Sequence, residues 1–214
     1  MEVKDFIPID HDDPYMLSGK VAVVGNSANI LDSNKGSFID SFDRVFRFNH
    51  AVTKGHEKDV GSKTTDVLLN MHFYAMNDKR KALMSETYEK FSTDVLHEYV
   101  NVNAILRHTH GVTERGNIPK NLKLYFFGEK MIRETKLTPY KRSKQATSGY
   151  SIVAALINLG IVPYLYGFSL ASDDWDYKHT HYFERRKPSG AVHDHEEEKE
   201  LIERMIEEGK AIKG

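Results

Sequence analysis

The feature that most constrains this chain is a run of four apolar β-formers, Val21–Val24, that leads directly into a polar turn, Gly25-Asn26-Ser27. A short unbroken apolar run bounded by turn residues predicts a buried strand. Ligands of open α/β sheets bind at the carboxyl ends of the strands, so this turn is a candidate nucleotide site. It is neither a dinucleotide-binding fingerprint nor a P-loop, because it holds a single glycine and no Gly-Lys-Ser/Thr sequence follows.

The rest of the chain alternates between strand-like and helix-like stretches. Strand-like runs predict further strands over Arg44–Phe48, Asp66–Leu69, Asn103–Leu106, 122–127 and 162–166. Helices are predicted over 33–41, 78–91, 149–159 and 196–210, the third being apolar nearly all round, as expected of a helix buried against a sheet. The alternation predicts an α/β fold with a mostly parallel, Rossmann-like sheet and helices on both faces. No repeat or linker interrupts it, so a single domain over 1–214 is expected.

The composition excludes several classes of protein. A formal net charge of −1 over 214 residues argues against a nucleic-acid-binding protein. The chain contains no cysteine, so it has neither a disulfide framework nor a thiolate zinc site. The N-terminal segment is too polar for a signal peptide, and no apolar run approaches the ~18 residues of a membrane span. A cytoplasmic protein, or a soluble piece of a larger one, is expected.

Two asparagines follow the first two predicted strands. Asn26 comes after the first and Asn49 after the second, and in a parallel sheet both side chains emerge at the same end of the sheet. A carboxamide offers a donor and an acceptor, which suits ribose hydroxyls and the edge of a pyrimidine. The alternative is that each asparagine merely caps a turn, and for a lone asparagine that interpretation is the more common one.

Three segments in this order, VVGNSANIL (23–31), IDSFDRVFRFN (39–49) and DVGSKTTD (59–66), resemble the large sialylmotif of glycosyltransferase family 29, the eukaryotic-type sialyltransferases. The resemblance implies a GT-A-like sialyltransferase variant of the Rossmann-like fold. It implies a CMP-sugar as donor, a glycan or glycolipid as acceptor, and transfer with inversion without a metal ion or other cofactor. It places the nucleotide against Asn26, Ser27 and Asn49.

A second constellation begins where a hydroxyl-rich segment, Thr147-Ser148-Gly149, opens the predicted buried helix. Hydroxyls, first-turn N–H groups and the helix dipole make such an opening favourable for anions, although a plain N-cap explains the same residues equally well. Together with a Tyr-Gly-Phe sequence at 166–168, the segment resembles the small sialylmotif of the same family. The resemblance implies that Thr147, Ser148 and Gly149 contact the cytidine nucleotide, and it adds Gly167 to the nucleotide site.

Two histidine motifs complete the resemblance. The sequence HYFE that begins at His181 is similar to the family's third motif, which places His181 beside the donor phosphate with Tyr182 in support. An exposed loop histidine is the alternative. His193, with Glu198 five positions on, fits the very short motif, by which His193 is the general base and Glu198 a supporting residue. Imidazole, whose usual pKa is near 6.5, suits that role. His195 is the rival, but only His193 has the required spacing.

The chain departs from the family pattern in ways that bear on where it works. The cysteines that usually join the large and small motifs are absent, and Val21 and Ala154 lie near the positions where they would be sought. Their absence indicates a reducing compartment such as the cytoplasm. Only twelve positions separate His181 from His193, which is short for the family, and residues 71–140 align with nothing familiar.

Two other classes of function are left open. One is a metallohydrolase acting on a phosphoester, with ligands drawn from the histidines and a neighbouring acidic pair: His179, His181, His193, His195, Asp173 and Asp174. That hypothesis leaves the two strand-end asparagines unexplained, and sensitivity to a chelator would distinguish it. The other is a catalytically inactive nucleotide- or glycan-binding module, against which the presence of both motif histidines argues.

Overall fold

Among the residues that the structure describes, eight short strands form one parallel sheet. The computed structural model describes residues 6–9, 19–49, 51–69, 102–106, 123–127, 146–168, 181–183 and 193–214. The strands are β1 (Phe6–Ile9), β2 (Val21–Val24), β3 (Arg44–Phe48), β4 (Asp66–Leu69), β5 (Asn103–Leu106), β6 (Lys123–Phe127), β7 (Tyr164–Tyr166) and β8 (Ile212–Lys213). All neighbouring strands run parallel, in the spatial order β1-β6-β5-β4-β3-β2-β7-β8. The predicted mostly parallel sheet is confirmed.

The strand order reverses beside β2. From β2 the chain adds β3, β4, β5 and β6 on one side, and β7 then returns to pair with the other side of β2. Where connections leave neighbouring strands in opposite directions, a crevice opens at the carboxyl ends, and ligands of doubly wound sheets bind there. The turn Gly25-Asn26-Ser27 lies at this point. The topology therefore indicates the same ligand site as the composition of the turn.

Helices cover both faces of the sheet. They are α1 (Gly36–Asp40), α2 (Glu57–Val60), α3 (Ser148–Asn158) and α4 (His195–Glu207), with a 3₁₀ turn at Ala28–Ile30. Val23 packs with apolar residues of α3 and α4, whereas Val24 packs with Ile39 of α1 and Val60 of α2. Successive side chains of a strand point to opposite faces, so β2 is buried from both sides. No helix within the described ranges is long and apolar enough to cross a bilayer.

The strand predictions are accurate in the centre of the sheet and incomplete at its margins. β2, β3, β4 and β5 have the predicted bounds, and β6 begins one residue late, at Lys123. β7 begins at Tyr164 rather than at 162, because Pro163 cannot donate a ladder hydrogen bond. The pattern predicts neither β1 nor β8, because Pro8 interrupts β1 and β8 has only two residues. A single domain over 1–214 stays a prediction.

The helix predictions differ where the backbone conformation changes. α1 begins at Gly36 instead of 33, because Asn34 adopts a left-handed φ of 56°. α3 begins and ends one residue earlier than predicted, and Gly160 follows it with a φ of 76°. α4 begins one residue early and ends three residues early, ahead of Gly209, whose φ is 70°. α2 and the 3₁₀ turn are too short for a helical periodicity to predict them. The predicted helix over 78–91 lies outside the described residues.

The third segment of the large motif, 59–66, lies at the amino end of the sheet, away from the turn after β2. It leads into β4, whose first residue, Asp66, accepts hydrogen bonds from Arg44 Nε at 3.1 Å and Nη2 at 2.6 Å. Arg44 begins β3, and both side chains are buried. This pair therefore joins the starts of two neighbouring strands.

A second buried arginine holds the loop that precedes β4. The fully buried guanidinium of Arg47 donates to the Thr64 hydroxyl and to the carbonyl oxygens of Val60, Gly61 and Lys63. From α1, Asp40 accepts from the N–H groups of Ser62 and Lys63 at 2.8–3.0 Å. Burial alone would raise the pKa of Asp40, but these N–H groups outweigh it and hold that pKa below its usual value. The segment 59–66 therefore has a structural role, because these hydrogen bonds hold the loop before β4 in place.

Candidate active site

The loops that follow β2 and β7 touch each other at the carboxyl end of the sheet. The N–H groups of Gly25 and Ser27 donate to the carbonyl oxygens of Tyr166 and Gly167, at 2.7 and 3.0 Å. A Cβ on Gly25 would lie 2.3 Å from the Gly167 oxygen, and a Cβ on Gly167 would lie 2.6 Å from the Gly25 oxygen. Gly167 also has a left-handed φ of 64°. Close backbone approach requires glycine at both positions, so Gly167 has a structural role beside its predicted place in the nucleotide site.

The two predicted asparagines lie at the carboxyl ends of neighbouring strands. Asn26 follows β2 and Asn49 follows β3, and these strands pair directly. The Oδ1 atom of Asn26 is buried and has no hydrogen-bond partner in the described part of the chain. An unsatisfied buried acceptor costs about 1–3 kcal/mol, which a ligand that donates to Asn26 would relieve. Asn49 has a left-handed φ of 50°, and its N–H donates to the Leu68 oxygen at 2.9 Å.

The opening of α3 already holds a carboxylate. Thr147 is the N-cap, and its hydroxyl accepts from the Tyr150 N–H at 3.1 Å. The N–H and hydroxyl of Thr147 donate to Glu198 Oε1 and Oε2, each at 2.6 Å, and Glu198 is only 6% exposed. Glu198 therefore takes the position at which the helix dipole favours an anion. The N–H groups of Ser148 and Gly149, which have no acceptor within the helix, complete the opening.

Both candidate bases lie at the start of α4. Asp194 caps this helix by accepting from the Glu197 N–H at 3.2 Å. The ring centroids of His193 and His195 are 5.8 Å apart, and both residues are partly buried. Burial lowers the pKa of His195 below its usual 6.5, against the opposing charge of Glu198 and in the same direction as His193. His195 is therefore mostly uncharged at neutral pH. Separately, the hydrogen bonds between Glu198 and Thr147 fix the position of the turn that carries both histidine rings.

Tyr182 joins the His181 segment to the loops that follow β2 and β3. Its N–H donates to the backbone carbonyl oxygen of Asn26 at 2.9 Å, in the turn after β2. Its hydroxyl donates to the Val52 oxygen at 2.6 Å, in the loop after β3. Tyr182 is 6% exposed, and His181 is partly buried. His181 is therefore held next to the Asn26 turn.

Two contributors to this region, Asn29 and Phe168, are not among the predicted site residues. The Asn29 Nδ2 donates to the Phe168 oxygen at 2.5 Å. The Phe168 ring packs edge-on against Phe48 with centroids 6.4 Å apart, and it lies 3.1 Å from a Cβ placed on Gly149. Phe168 thus sets the spacing between the loop after β7 and the opening of α3. The Tyr-Gly-Phe sequence marks Phe168, whereas no local pattern marks Asn29 as its partner.

The metallohydrolase hypothesis gains no support from the described geometry. Within the described ranges, no three His, Asp or Glu side chains converge so as to hold a metal ion. Three of the six proposed ligands, His179, Asp173 and Asp174, lie outside those ranges. The described part of the site is instead built from amide, hydroxyl and backbone groups around two loops and one helix start.

The fold and the site together define an open, parallel α/β protein, with polar strand ends and a helix opening gathered at a topological switch point. The sequence model of Glycosyltransferase family 29 (sialyltransferase) matches residues 17–210. The chain therefore belongs to glycosyltransferase family 29, the sialyltransferases. The resemblance predicted from the sialylmotifs is confirmed.

Named relatives agree with this assignment over short segments. The beta-galactoside alpha-2,6-sialyltransferase 2 of Gallus gallus is 54% identical over 52 residues, which are 24% of this chain and 10% of that protein. The CMP-N-acetylneuraminate-beta-galactosamide-alpha-2,3-sialyltransferase 1 of Mus musculus is 56% identical over 50 residues, 23% of this chain and 15% of that protein. The matched segments span much less than two thirds of either relative.

Solved structures extend the likeness to the whole fold. A crystal structure of a mammalian sialyltransferase aligns with 95% of this chain and 71% of its own chain, with a TM-score of 0.63 and 24% identity. A second, in complex with Gal-beta-1-3GalNAc-ortho-nitrophenol, aligns with 91% of this chain and 68% of its own, with a TM-score of 0.60 and 24% identity. The predicted Rossmann-like α/β fold is confirmed by these alignments.

Proposed function

We propose that this chain is an inverting sialyltransferase that moves sialic acid, or a related keto-sugar, from a CMP-sugar to a hydroxyl of a glycan or glycolipid, without a metal ion or other cofactor. Its family supports glycosyl transfer as the class of reaction. The observation that carries the donor assignment is the buried Oδ1 atom of Asn26, which has no partner among the described residues and lies at the switch point of the sheet. Ribose hydroxyls and the cytosine amino group are both hydrogen-bond donors that such an acceptor binds.

The charges within the site indicate which part of the CMP-sugar lies against which part of the protein. Glu198 already occupies the opening of α3 and would repel a phosphate placed against Thr147. We therefore assign the phosphate to His181, which as a cation stabilises the departing nucleotide. The uncharged nucleoside then lies against Asn26, Asn49 and the helix opening.

The transfer itself is a single displacement. The acceptor hydroxyl oxygen bonds to the anomeric carbon while the bond from that carbon to the CMP phosphate oxygen breaks, so the configuration inverts. The hydroxyl proton passes to His193, and CMP leaves with the electron pair of the broken bond. His195, kept neutral by burial, does not repel the imidazolium that His193 becomes. Holding two substrates in one reactive geometry supplies much of the acceleration.

Binding of CMP, measured by calorimetry with CDP, UDP and GDP for comparison, tests the donor assignment. We expect selective binding of CMP. Asn26→Ala should raise the Kd roughly 5- to 150-fold, the equivalent of about 1–3 kcal/mol for a buried polar contact. The same change should not lower the melting temperature of the free protein, because the oxygen it removes has no hydrogen-bond partner among the described residues. Absence of CMP binding would contradict the assignment.

Asn49→Gly is the sharper variant at the second strand end. Glycine accepts the left-handed φ of 50° at this position, so the change removes the carboxamide without straining the backbone. Asn34→Gly is the matched control, since Asn34 has a φ of 56° but is exposed in the loop before α1. We expect weaker CMP binding only in the Asn49 variant; equal affinities in the two variants would remove Asn49 from the site.

Turnover with a glycan acceptor tests the base and the metal independence. His193→Ala should keep the affinity for CMP and lose about 10²–10⁴-fold in turnover, the usual contribution of a general base. His195→Ala should be mild by comparison. Transfer should continue in excess EDTA, whereas loss of activity that Mg²⁺ or Zn²⁺ restores would return the metal hypothesis.

We also propose that the chain works in the cytoplasm. It has no cysteine, and Val21 and Ala154, near the positions where the family's cysteines are expected, are both buried in one apolar cluster. Apolar packing there requires no oxidising environment. Cell fractionation should recover the protein with cytosolic markers, and recovery from a secretory compartment would contradict the proposal.

A further inference from the structure

Four rings from two segments of the chain form a continuous series that ends on His181. His56, at the start of α2, meets Tyr182 edge-on with ring centroids 5.1 Å apart. Tyr182 meets Phe183 edge-on with centroids 4.9 Å apart. Phe183 and His181 are stacked, with centroids 5.2 Å apart and planes inclined by 25°. These rings connect the loop after β3 to the histidine assigned to the phosphate.

The series is anchored at its centre. Both polar groups of Tyr182 donate to backbone oxygens, those of Asn26 and Val52, so the ring cannot rotate away from the sheet. Phe183 packs against the apolar cluster that covers the face of α1 and α2. The face that Phe183 presents to His181 is therefore fixed by the core.

We propose that Phe183 is the positioning residue of His181: its ring holds the imidazole in the plane from which it meets the donor phosphate. This inference rests on the proposed function. Offset stacking on a fixed ring selects one orientation of an imidazole that would otherwise rotate about two side-chain torsions. Leucine at 183 would fill the space without selecting this orientation of the imidazole.

A double-mutant cycle separates positioning from mere packing. CMP affinity is measured by calorimetry in the wild type, Phe183→Leu, His181→Ala and the double variant. We expect Phe183→Leu to raise the Kd about 2- to 12-fold in the presence of His181, the range of aromatic pair energies, and to have no further effect once His181 is alanine. Phe183→Tyr keeps the stacked ring, so it should bind CMP with the affinity of the wild type. Equal losses in both backgrounds would overturn the proposal.

A proton spectrum supplies a readout that depends neither on the folding of Phe183→Leu nor on nucleotide binding. The Hε1 resonance of His181, identified as the one missing in His181→Ala, should be shifted upfield in the wild type by the ring current of Phe183. The shift should persist in Phe183→Tyr. An unshifted resonance in the wild type overturns the proposal even where Phe183→Leu fails to fold. If the wild type binds no CMP, the proposed function fails while the spectrum still decides whether Phe183 holds His181.

Discussion

Removing the carboxylate that lies between the starts of α3 and α4 should strongly weaken both the fold and the site. Glu198 accepts two hydrogen bonds of 2.6 Å from Thr147, and it is 6% exposed. Hydrogen bonds to charged groups contribute about 1.5–3 kcal/mol each. Glu198→Ala should therefore lower the free energy of unfolding by about 3–5 kcal/mol, because both bonds are lost and the Thr147 donors are left without their acceptor. Glu198→Gln, whose oxygen still accepts from the Thr147 N–H, should cost about 1–2 kcal/mol.

Urea unfolding of a double-mutant cycle measures the contact itself. Thr147→Val keeps the shape and removes the hydroxyl, so the cost of Glu198→Ala should fall by about 1.5–3 kcal/mol in that background. Glu200→Ala, exposed on the same helix, is the control and should change stability by less than about 0.5 kcal/mol. In Glu198→Gln, turnover should fall more than CMP affinity, because the base is displaced while the strand ends are intact. Additive losses at Thr147 and Glu198 would refute the reasoning.

Three further predictions follow from the described contacts. Arg47→Met should lower the free energy of unfolding by about 3–5 kcal/mol in urea titrations, because buried carbonyl oxygens lose their donor; Arg47→Lys should recover less than half, since one ammonium does not reproduce the guanidinium fork. Because burial lowers the pKa of His195 in the folded state, the unfolded chain binds more protons near the usual pKa of 6.5, and stability should fall as the pH drops through that value; His195→Gln should flatten that slope. Gly167→Ala should lower the melting temperature well below that of Gly160→Ala, because both have a positive φ but only at 167 does a Cβ meet backbone, at 2.6 Å.

The centre of the fold could be predicted because it is encoded locally. β2 is an unbroken apolar run, and β3 and β4 are short segments rich in apolar β-formers, so these buried strands could be recognised from their own residues. β8 could not be predicted, because its two residues become a strand only by pairing with Tyr164 and Leu165, far away in the chain. The start of α1 was misplaced for a different reason: the left-handed φ of Asn34 is a property of the folded loop.

In the site too, some features could be predicted from neighbouring residues, whereas others depend on contacts between residues far apart in the chain. The ends of β2 and β3 predict where Asn26 and Asn49 lie, since parallel strands deliver their carboxyl ends together. The partner of Glu198 is 51 positions away, and no local pattern links it to Thr147. The nucleotide contact of Thr147 stays a prediction, and sequence reasoning missed that its N–H and hydroxyl donate to Glu198 while the hydroxyl also caps α3.

The large motif carries two kinds of constraint because it runs along β3 from one end of the sheet to the other. Asn49 lies at the carboxyl end of β3, where the nucleotide site is proposed, whereas Arg44 binds Asp66 at the amino end and Arg47 holds the loop before β4. A motif segment that spans a whole strand includes residues at both ends of that strand. Loss of activity at Arg44 or Arg47 should therefore accompany loss of stability, and a nucleotide that binds the folded state should partly compensate for it. Loss of activity at Asn26 should occur in a protein as stable as the wild type.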